Sequence, residues 1–335
     1  RLILMNSDQN LITIENISVD FYFQENFLSK KQKIRAVKNV SLNIKKGSFV
    51  GLVGESGSGK TTLGRTILAA NTISQGKVIF NDGKKQYDLS NISKIELKEY
   101  RKKAQLIFQD PYAALSPRMT VRDIIAEPLE VMRITQNREE TDKRVREIAD
   151  KCRLNLEHLR RFPHAFSGGQ RQRISIARAL VSSPQFIVAD ESVAALDVSI
   201  QADILNLLIS LQKDLDLTYL YISHDLSVVA HICDEVAVMY LGEIVEHAPT
   251  SELFSNPKHP YTKALLSSIP SIDPDKKQNA IILKGEIPSS MNPPSGCVFH
   301  TRCNYANENC KKETPLLNTE IKKDHLVSCL RVNDI

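Results

Sequence analysis

The sequence predicts an α/β fold with a small C-terminal appendage, and three observations support this prediction. Apolar runs over residues 49–53 and 186–189 have the composition of strands that are buried on both faces of a parallel sheet. Segments in which apolar side chains recur at helical spacing lie between such runs. The chain has 335 residues, which is more than one typical domain needs, so we expect two domains.

The N-terminal region is predicted to be antiparallel. Apolar and polar side chains alternate over residues 11–23, and Val40, Leu42 and Ile44 repeat the alternation. Further strands of the buried, parallel type are predicted at residues 106–108, 218–222 and 235–240. We therefore expect an antiparallel β subdomain followed by a parallel core.

A helical subdomain is predicted between two strands of the core. Over residues 121–153 the apolar side chains recur at helical spacing, and these are Ile124, Ile125, Leu129, Val131, Val145, Ile148 and Ala149. We place the inserted subdomain at about residues 110–180. Prolines become frequent beyond residue 250, which indicates a C-terminal extension over residues 251–335.

Composition and charge exclude several classes of protein. The chain is 42% hydrophobic and 25% charged, which is ordinary for a folded globular protein. Its net charge of +5 is spread among acidic residues, so we expect no nucleic-acid binding. No window approaches the roughly 20 apolar residues of a spanning helix, and the N-terminus lacks the apolar core of a secretory signal. We expect a cytoplasmic protein that does not cross a membrane by itself.

A glycine-rich segment after the strand at residues 49–53 fits the phosphate-loop pattern GxxxxGK(S/T). Glycines let backbone N–H groups turn inward around phosphate oxygens, and the N-terminus of the following helix favours anions. Lys60 is placed to reach the β- and γ-phosphates, and Thr61 to coordinate Mg²⁺. The candidate ATP-binding residues are Gly54, Glu55, Ser56, Gly57, Ser58, Gly59, Lys60, Thr61 and Thr62. The alternative, a flexible glycine loop that matches by chance, is disfavoured by the strand before it and the helix predicted after it.

Two carboxylates, Asp190 and Glu191, follow the strand at residues 186–189. Ligands of α/β folds bind at the carboxyl ends of the strands. Asp190 is therefore a candidate for the Mg²⁺ shell, and Glu191 for the group that polarises the attacking water. Taken alone, such a pair is more often a helix cap, and the phosphate loop is what favours the catalytic interpretation.

The segment Phe166-Ser167-Gly168-Gly169-Gln170 resembles the signature loop of ATP-binding-cassette ATPases. Ser167 and the amides of the two glycines begin a predicted helix, which gives a second anion-binding helix terminus. A capped loop ahead of a surface helix is the alternative, and it leaves the other family motifs unexplained. The resemblance implies that each ATP lies between the phosphate loop of one subunit and the signature loop of its partner.

Other motifs of this family occur in the same order and spacing. Gln109 follows a predicted strand 49 residues after Lys60, as the family's Mg²⁺- and water-sensing glutamine does. Asp197 lies in a segment that resembles the D-loop. His224 resembles the switch histidine that contacts the γ-phosphate, although a lone histidine at such a position is more often a cap or a core residue.

The resemblance also covers the adenine contact and shows two departures from the family pattern. Phe21 lies where the family places the aromatic side chain that stacks on adenine, with Tyr22 and Phe23 as adjacent candidates. Ser192 stands where proline is usual, and Ala194 where the D-loop usually has serine. Because alanine lacks the hydroxyl that could reach the partner subunit, equal hydrolysis at the two sites of a dimer becomes doubtful.

The C-terminal extension indicates which group of this family the chain resembles. The motif at residues 256–262 (NPKHPYT), followed by four cysteines, is similar to the tail of the ATPases of oligopeptide/dipeptide permeases, above all the second ATPase of the pair. The resemblance implies a nucleotide-binding domain over residues 10–250 that acts at the cytoplasmic face of the cell membrane. It also implies a sister ATPase subunit, two transmembrane permease subunits and an extracytoplasmic solute-binding protein. The alternatives are a related importer of nickel or another small solute, and a soluble cassette ATPase outside transport.

Four cysteines of the extension form a candidate metal site, which we call the cysteine module (residues 297–329). They are spaced C-x5-C-x6-C-x18-C and are Cys297, Cys303, Cys310 and Cys329. So short a segment cannot bury a large core unaided. Four thiolates suit either a structural Zn²⁺ or an iron-sulfur cluster. Relatives with this tail are associated with a 4Fe-4S cluster, so we expect that cluster, with Zn²⁺ and four unmetallated thiols as the alternatives.

Overall fold

The computed structural model describes residues 10–24, 31–269, 280–322 and 324–335, with the backbone alone for residues 318–322. These residues divide into two compact units. The first unit comprises residues 10–12, Ile44–Ser48 and Ile79–Tyr221. The second unit comprises Thr13–Asn43, Phe49–Val78 and Ile222–Ile335 as far as they are described.

In chain order, the helices and strands of the described residues are β1 (Asn10–Phe23), β2 (Gln32–Lys45), β3 (Phe49–Val53), α1 (Lys60–Ile67), β4 (Gln75–Asn81), β5 (Gln86–Asp88), α2 (Lys94–Lys103), β6 (Ala104–Ile107), α3 (Pro111–Ala114), α4 (Val121–Val131), α5 (Arg138–Lys151), α6 (Gly168–Leu180), β7 (Phe186–Asp190), α7 (Val198–Leu215), β8 (Thr218–Ser223), α8 (Leu226–Ile232), β9 (Glu235–Tyr240), β10 (Glu243–Pro249), α9 (Thr250–Ser255), α10 (Pro260–Ser267), α11 (Glu308–Lys312), β11 (Asn318–Lys322) and β12 (His325–Val327). Short 3-10 turns at Leu156–Arg160 and Pro163–Ala165 lie between α5 and α6. None of the helices in the described ranges combines the length and the apolarity that spanning a bilayer requires.

Both units contain parallel strands where the sequence has continuous apolar runs. In the first unit β6 pairs with β7, and Leu106 is opposite Val188. In the second unit β3 pairs with β9, and Leu52 is opposite Ala237. Every residue of β3 and β7 is buried, as expected for strands that are covered on both faces. The prediction of an α/β fold is confirmed.

The second unit also contains antiparallel strands, some of which the sequence did not predict. In one sheet β1 lies between β2 and β4. In the other sheet β10 pairs with both β9 and β12, and β12 pairs with β11. Glu246 of β10 is opposite Val327 of β12. The C-terminal extension therefore adds its own strands to the sheet that contains β3.

Helices α4 and α5 of the first unit occupy the stretch that was predicted to be helical. Their N-caps are Thr120 and Asn137, whose side chains accept hydrogen bonds from the N–H groups of Asp123 and Glu140. The apolar side chains noted for their helical spacing are buried, with the exception of Val131, which is 75% exposed. Val131 is the last residue of α4, so helical spacing alone overestimated the length of the buried face.

A buried aromatic cluster packs the C-terminal extension against the sheet of the second unit. Tyr240 of β9 lies edge-on to Tyr261 of α10, with 4.7 Å between the ring centroids, and to Phe299 of the cysteine module, with 5.2 Å. Each of the three side chains is at most 1% exposed. Edge-to-face pairs of this kind stabilise a core beyond the area that they bury.

Candidate active site

The phosphate loop of the second unit has a shape that glycine alone permits at two positions. The loop joins the end of β3 to the start of α1. Gly54 has a φ of +149°, and a Cβ atom there would lie 2.1 Å from the carbonyl oxygen of Met239. Gly59 has a φ of +102°, and its Cβ would lie 2.4 Å from the carbonyl oxygen of Ala36. The backbone is therefore turned in the way that a phosphate-binding loop needs.

The Lys60 side chain lies against the loop that precedes it. Its Nζ donates hydrogen bonds to the carbonyl oxygens of Gly54 and Glu55, at 2.7 Å and 2.9 Å, and to Oγ of Ser58, at 3.3 Å. Lys60 is 6% exposed. Thr61 and Thr62 follow in the first turn of α1 and are half-buried. The loop thus holds a positive charge at a helix N-terminus, an arrangement that attracts phosphate.

Sequence analysis missed that the C-terminal extension contacts Glu55 of this loop. The N–H of Glu55 donates to Oη of Tyr261 at 2.8 Å. Arg302 donates two hydrogen bonds to the Glu55 carboxylate, at 2.7 Å and 3.3 Å. Hydrogen bonding to this carboxylate raises the pKa of Arg302 above its usual range. No local pattern could have revealed these contacts, because their partners lie 206 and 247 positions away along the chain.

The other candidates in the second unit are exposed. His224 directly follows the end of β8, and the next residue, Asp225, caps α8 by accepting hydrogen bonds from backbone N–H groups. At the end of β1, Phe21 is 43% exposed, and the adjacent Tyr22 and Phe23 are 67% and 47% exposed. All three aromatic side chains are therefore accessible for stacking on a base.

In the first unit the end of β7 carries the two candidate carboxylates. Asp190 is buried as the last residue of the strand, and Glu191 is partly exposed. Glu191 has a φ of +46°, a conformation that costs a non-glycine residue about 1–3 kcal/mol and that clusters at functional sites. Nε2 of Gln109 donates a hydrogen bond to the Glu191 carboxylate at 2.7 Å. The structure therefore brings these two predicted residues together.

The segment that resembles a signature loop forms the capped start of α6. Oγ of Ser167 accepts a hydrogen bond from the N–H of Gln170, and the Gln170 side chain accepts one from the N–H of Ser167. This reciprocal pair is a capping box, which satisfies two amides at the helix start. A Cβ on Gly169 would lie 2.5 Å from Cγ2 of Ile200, so this position favours glycine, and Gly168 beside it is half-buried. Ser167 and Gln170 are exposed.

Asp197 caps the start of α7. Its carboxylate accepts hydrogen bonds from the N–H of Ile200, at 3.1 Å, and from Oγ of Ser199, at 2.9 Å. Both bonds lower the pKa of Asp197, and the bond from the Ile200 N–H has the larger effect. The segment therefore carries an exposed, ionised carboxylate in a fixed position.

The predicted site residues belong to both units. The first unit contains Gln109, residues 167–170, Asp190, Glu191 and Asp197. The second unit contains Phe21, residues 54–62 and His224.

The four candidate metal ligands line one small cavity of the second unit. The cavity has a volume of about 20 Å³, and its lining includes Cys297, Cys303, Cys310 and Cys329. None of the four forms a disulfide. Burial, together with the charges of the other three thiols, raises the pKa of Cys297 to about 12. Among the residues that the structure describes, no three or more His, Cys, Asp or Glu side chains are arranged to hold a metal ion. Thiols are the donor type that soft metals prefer, but these four are not arranged around a metal in this structure, so the metal stays a prediction.

Comparison with known proteins identifies the family. Residues 37–194 match the profile of ABC transporters, and residues 245–310 match that of the oligopeptide/dipeptide transporter C-terminal region. A putative peptide import ATP-binding protein of Brucella ovis is 49% identical over 309 residues, which are 92% of this chain and 96% of that protein. The oligopeptide transport ATP-binding protein AppF of Bacillus subtilis is 49% identical over 90% of this chain and 91% of its own length. The corresponding protein OppF of Haemophilus influenzae is 45% identical over 98% of both chains.

Solved structures share the fold. A dimeric ATP-binding cassette, determined in a post-hydrolysis state with ADP and Pi, is 30% identical with a TM-score of 0.62 and covers 71% of this chain and 98% of its own. A subunit of the CbiONQ transporter complex of Clostridium perfringens is 25% identical with a TM-score of 0.62 and covers 74% of this chain and 92% of its own. The chain therefore belongs to the ATP-hydrolysing subunits of the ABC transporter family, in the group that carries the oligopeptide/dipeptide transporter C-terminal region.

Proposed function

We propose that the chain hydrolyses ATP to drive the import of oligopeptides or dipeptides through a multi-subunit transporter. The observation that carries this proposal is the C-terminal region, because residues 245–310 match the profile of the oligopeptide/dipeptide transporter C-terminal region. Relatives that are 45–49% identical over nearly their whole length bear peptide-transport names. In this proposal residues 10–250 form the nucleotide-binding domain, residues 110–180 its helical subdomain, and residues 251–335 the extension with the cysteine module.

Binding of Mg²⁺ and ATP is assigned to the phosphate loop and to oxygen-bearing side chains. Lys60 and the loop amides would bind the phosphates, and Phe21 would stack on the adenine. The Thr61 hydroxyl, the Asp190 carboxylate and the Gln109 amide oxygen are the hard donors that suit Mg²⁺. Mg²⁺, when bound, neutralises charge that develops on the phosphate oxygens.

Glu191 is assigned as the acceptor for the proton of the attacking water. The 2.7 Å hydrogen bond from Gln109 and the left-handed backbone fix the direction of its carboxylate, which supports the assignment. His224 would contact the γ-phosphate and report its presence. Ser167, Gly168, Gly169 and Gln170 would bind the ATP of a partner subunit, next to the D-loop carboxylate of Asp197.

The chain is proposed to pair with a sister ATPase at the cytoplasmic face of the membrane. The pair would bind two transmembrane permease subunits, which receive solute from an extracytoplasmic binding protein. The exposed capped start of α6 supports pairing, because a second subunit can reach it. Ala194, which is exposed and lacks a hydroxyl, supports a partner that differs from this chain. After Gln109, Tyr112 is 58% exposed and is the candidate contact for a permease subunit.

Reconstitution tests the proposed transport directly. The chain is co-expressed with its sister ATPase and permease subunits, inserted into proteoliposomes and supplied with the solute-binding protein loaded with peptides of two to five residues. We expect ATP hydrolysis and uptake of labelled peptide to rise together, and both to be lost with Glu191→Gln. Stimulation by nickel alone would contradict the peptide assignment, and undiminished hydrolysis without any membrane subunit would contradict transport.

We further propose that the cysteine module holds a 4Fe-4S cluster, with Zn²⁺ as the alternative. The support is the donor set, since four thiols line one cavity and soft thiolates suit either metal centre. Anaerobic purification with iron, sulfide and zinc analysis distinguishes the two. Stoichiometric zinc in a colourless protein would contradict the cluster, and a metal-free folded module would contradict both. Cys303→Ser should loosen the extension, because ligation and folding of such modules are coupled.

A further inference from the structure

Every polar group of Glu55 has a partner within the protein, although the proposed function assigns its side chain no contact with the nucleotide. Its N–H donates to Tyr261 at 2.8 Å, and its carbonyl oxygen accepts from Nζ of Lys60 at 2.9 Å. Its carboxylate accepts two hydrogen bonds from Arg302. Glu55 therefore connects two residues of the C-terminal extension to the lysine of the phosphate loop.

The two contacts from the extension come from fixed side chains. Tyr261 is fully buried, and Arg302 is 8% exposed. The Tyr261 ring packs edge-on against the Tyr240 ring. The Arg302 guanidinium lies 6.0 Å from the centroid of the Tyr240 ring. The backbone N–H of Arg302 donates to the carbonyl oxygen of Phe299 at 3.0 Å. Packing and hydrogen bonds thus hold Tyr261 and Arg302 in place, while Glu55 belongs to a loop outside regular secondary structure.

The pairing of Arg302 with Glu55 is specific in geometry. Two parallel N–H donors on two carboxylate oxygens fix both the position and the orientation of the acceptor, which a lysine cannot do. Glu55 is 26% exposed and Arg302 8% by side chain, so the pair is partly shielded from water. Partial burial strengthens such a pair relative to a surface ion pair.

We propose that Arg302 and Tyr261 are positioning residues for ATP binding, which act by holding Glu55 and thereby the phosphate loop. The inference rests on the ATP site proposed above and adds the C-terminal extension to it. A loop that already has the binding conformation needs no ordering when the phosphates arrive. When the contacts to Glu55 are lost, the loop has the binding conformation in only a fraction of the molecules. The apparent Kd for ATP then equals the intrinsic Kd divided by that fraction.

Nucleotide affinity of the full-length chain is the first measurement. A fluorescent ATP analogue with Mg²⁺ is titrated into the unmodified chain, Glu55→Gln, Arg302→Gln and Tyr261→Phe. We expect the Kd to rise by about 5- to 50-fold for Glu55→Gln and Arg302→Gln, and by less for Tyr261→Phe, which loses one hydrogen bond. Arg302→Lys, which keeps the charge and loses the paired geometry, should be intermediate.

The matched control is Lys311→Gln in the same cysteine module. Lys311 forms an exposed ion pair with Glu308 at 2.6 Å, so its loss should leave the Kd unchanged. The double variant Glu55→Gln/Arg302→Gln should have about the same Kd as the single variant that binds ATP more weakly. The reason is that each of the two changes removes the same contact, so the second change has nothing further to remove. In the assembled transporter the KM for ATP should rise with the Kd, while kcat at saturating ATP stays within about twofold.

The outcomes separate this inference from the proposed function. Unchanged affinity in folded Glu55→Gln and Arg302→Gln, or multiplied losses in the double variant, would overturn the positioning role. A fall in kcat and thermal stability with unchanged KM would assign Arg302 to the fold alone and also overturn it. Glu55→Gln replaces one atom of a partly exposed side chain, so we expect this variant to fold. It therefore still tests the proposal if Arg302→Gln does not fold. Failure of the unmodified chain to bind ATP would overturn the proposed function instead.

Discussion

The buried carboxylate of Glu246 joins three segments of the second unit. Glu246 lies in β10 and is fully buried. It accepts hydrogen bonds from the backbone N–H groups of Lys258 and His259, at 2.7 Å and 2.9 Å. Nε2 of His325 in β12 lies 2.8 Å from the same carboxylate. Loss of this acceptor should therefore release the C-terminal extension from β10.

The expected magnitude follows from the number of donors. Replacing Glu246 with alanine leaves three buried or partly buried donors without an acceptor, and each such donor costs about 1–3 kcal/mol. Taking the low end of that range, we expect Glu246→Ala to lower the free energy of unfolding by about 3–5 kcal/mol. Glu246→Gln keeps one acceptor oxygen and should lose less.

Urea denaturation of the full chain, followed by far-UV circular dichroism, measures this difference. The control is Glu308→Gln, which breaks an exposed ion pair and should change the free energy of unfolding by less than about 0.5 kcal/mol. A Glu246→Ala protein within about 1 kcal/mol of the unmodified chain would refute the reasoning, because the three donors would then have other partners.

The same comparison has a defined pH dependence. Burial alone would raise the pKa of Glu246, but hydrogen bonds from His325 and the two backbone N–H groups hold it below its ordinary value of 4.5. As the pH falls, the unfolded chain therefore takes up this proton before the folded chain does. The stabilisation is complete above pH 4.5 and is lost as the pH falls through the folded pKa. The gap between the unmodified chain and Glu246→Ala should narrow in acid.

Three further predictions concern the ATP site and its partner. Glu191→Gln should lower turnover in the assembled transporter by about 10²–10⁴ while ATP binding persists, because the proton acceptor is lost and the shape is kept; hydrolysis at the unmodified rate would contradict its role. Lys60→Ala should weaken nucleotide binding itself, because it removes the buried cation of the loop, and unchanged affinity in the same titration would contradict this. The chain purified alone should be largely monomeric by light scattering with weak ATPase activity, which rises on addition of the sister ATPase and permease subunits. A fully active homodimer would argue against a sister subunit.

The sequence predicted the parts of the fold whose stabilisation is local or follows a continuous pattern. Strands β3 and β7 were predictable because nearly every residue in them is apolar or small, as burial on two faces requires. Strands β10 and β12 were not predicted, because their pairing depends on a partner far along the chain. β12 has three residues and begins with a buried histidine, and β10 contains a buried glutamate, which a hydropathy pattern assigns to the surface.

In the candidate site too, local features were predictable from the sequence and long-range contacts were not. The phosphate loop could be located from sequence because backbone geometry dictates its glycines, as Gly54 and Gly59 show. Family order and spacing identified Gln109 as a candidate, and the pair of carboxylates after a strand identified Glu191, but the hydrogen bond between the two side chains was not predicted. The contact between Arg302 and Glu55 could not follow from any spacing, since it depends on how the extension packs.

The C-terminal extension is joined to the phosphate loop by two routes within the second unit. One route runs through the sheet, because β12 pairs with β10, β10 with β9 and β9 with β3, whose last residue directly precedes Gly54. The other route is direct, from Tyr261 and Arg302 to Glu55. Since close-packed interiors transmit strain, both routes can carry a displacement of the extension to the loop. The match to the oligopeptide/dipeptide C-terminal region begins at residue 245, inside β10. β10 is the strand that pairs with β12 of the extension on one side and with β9 on the other.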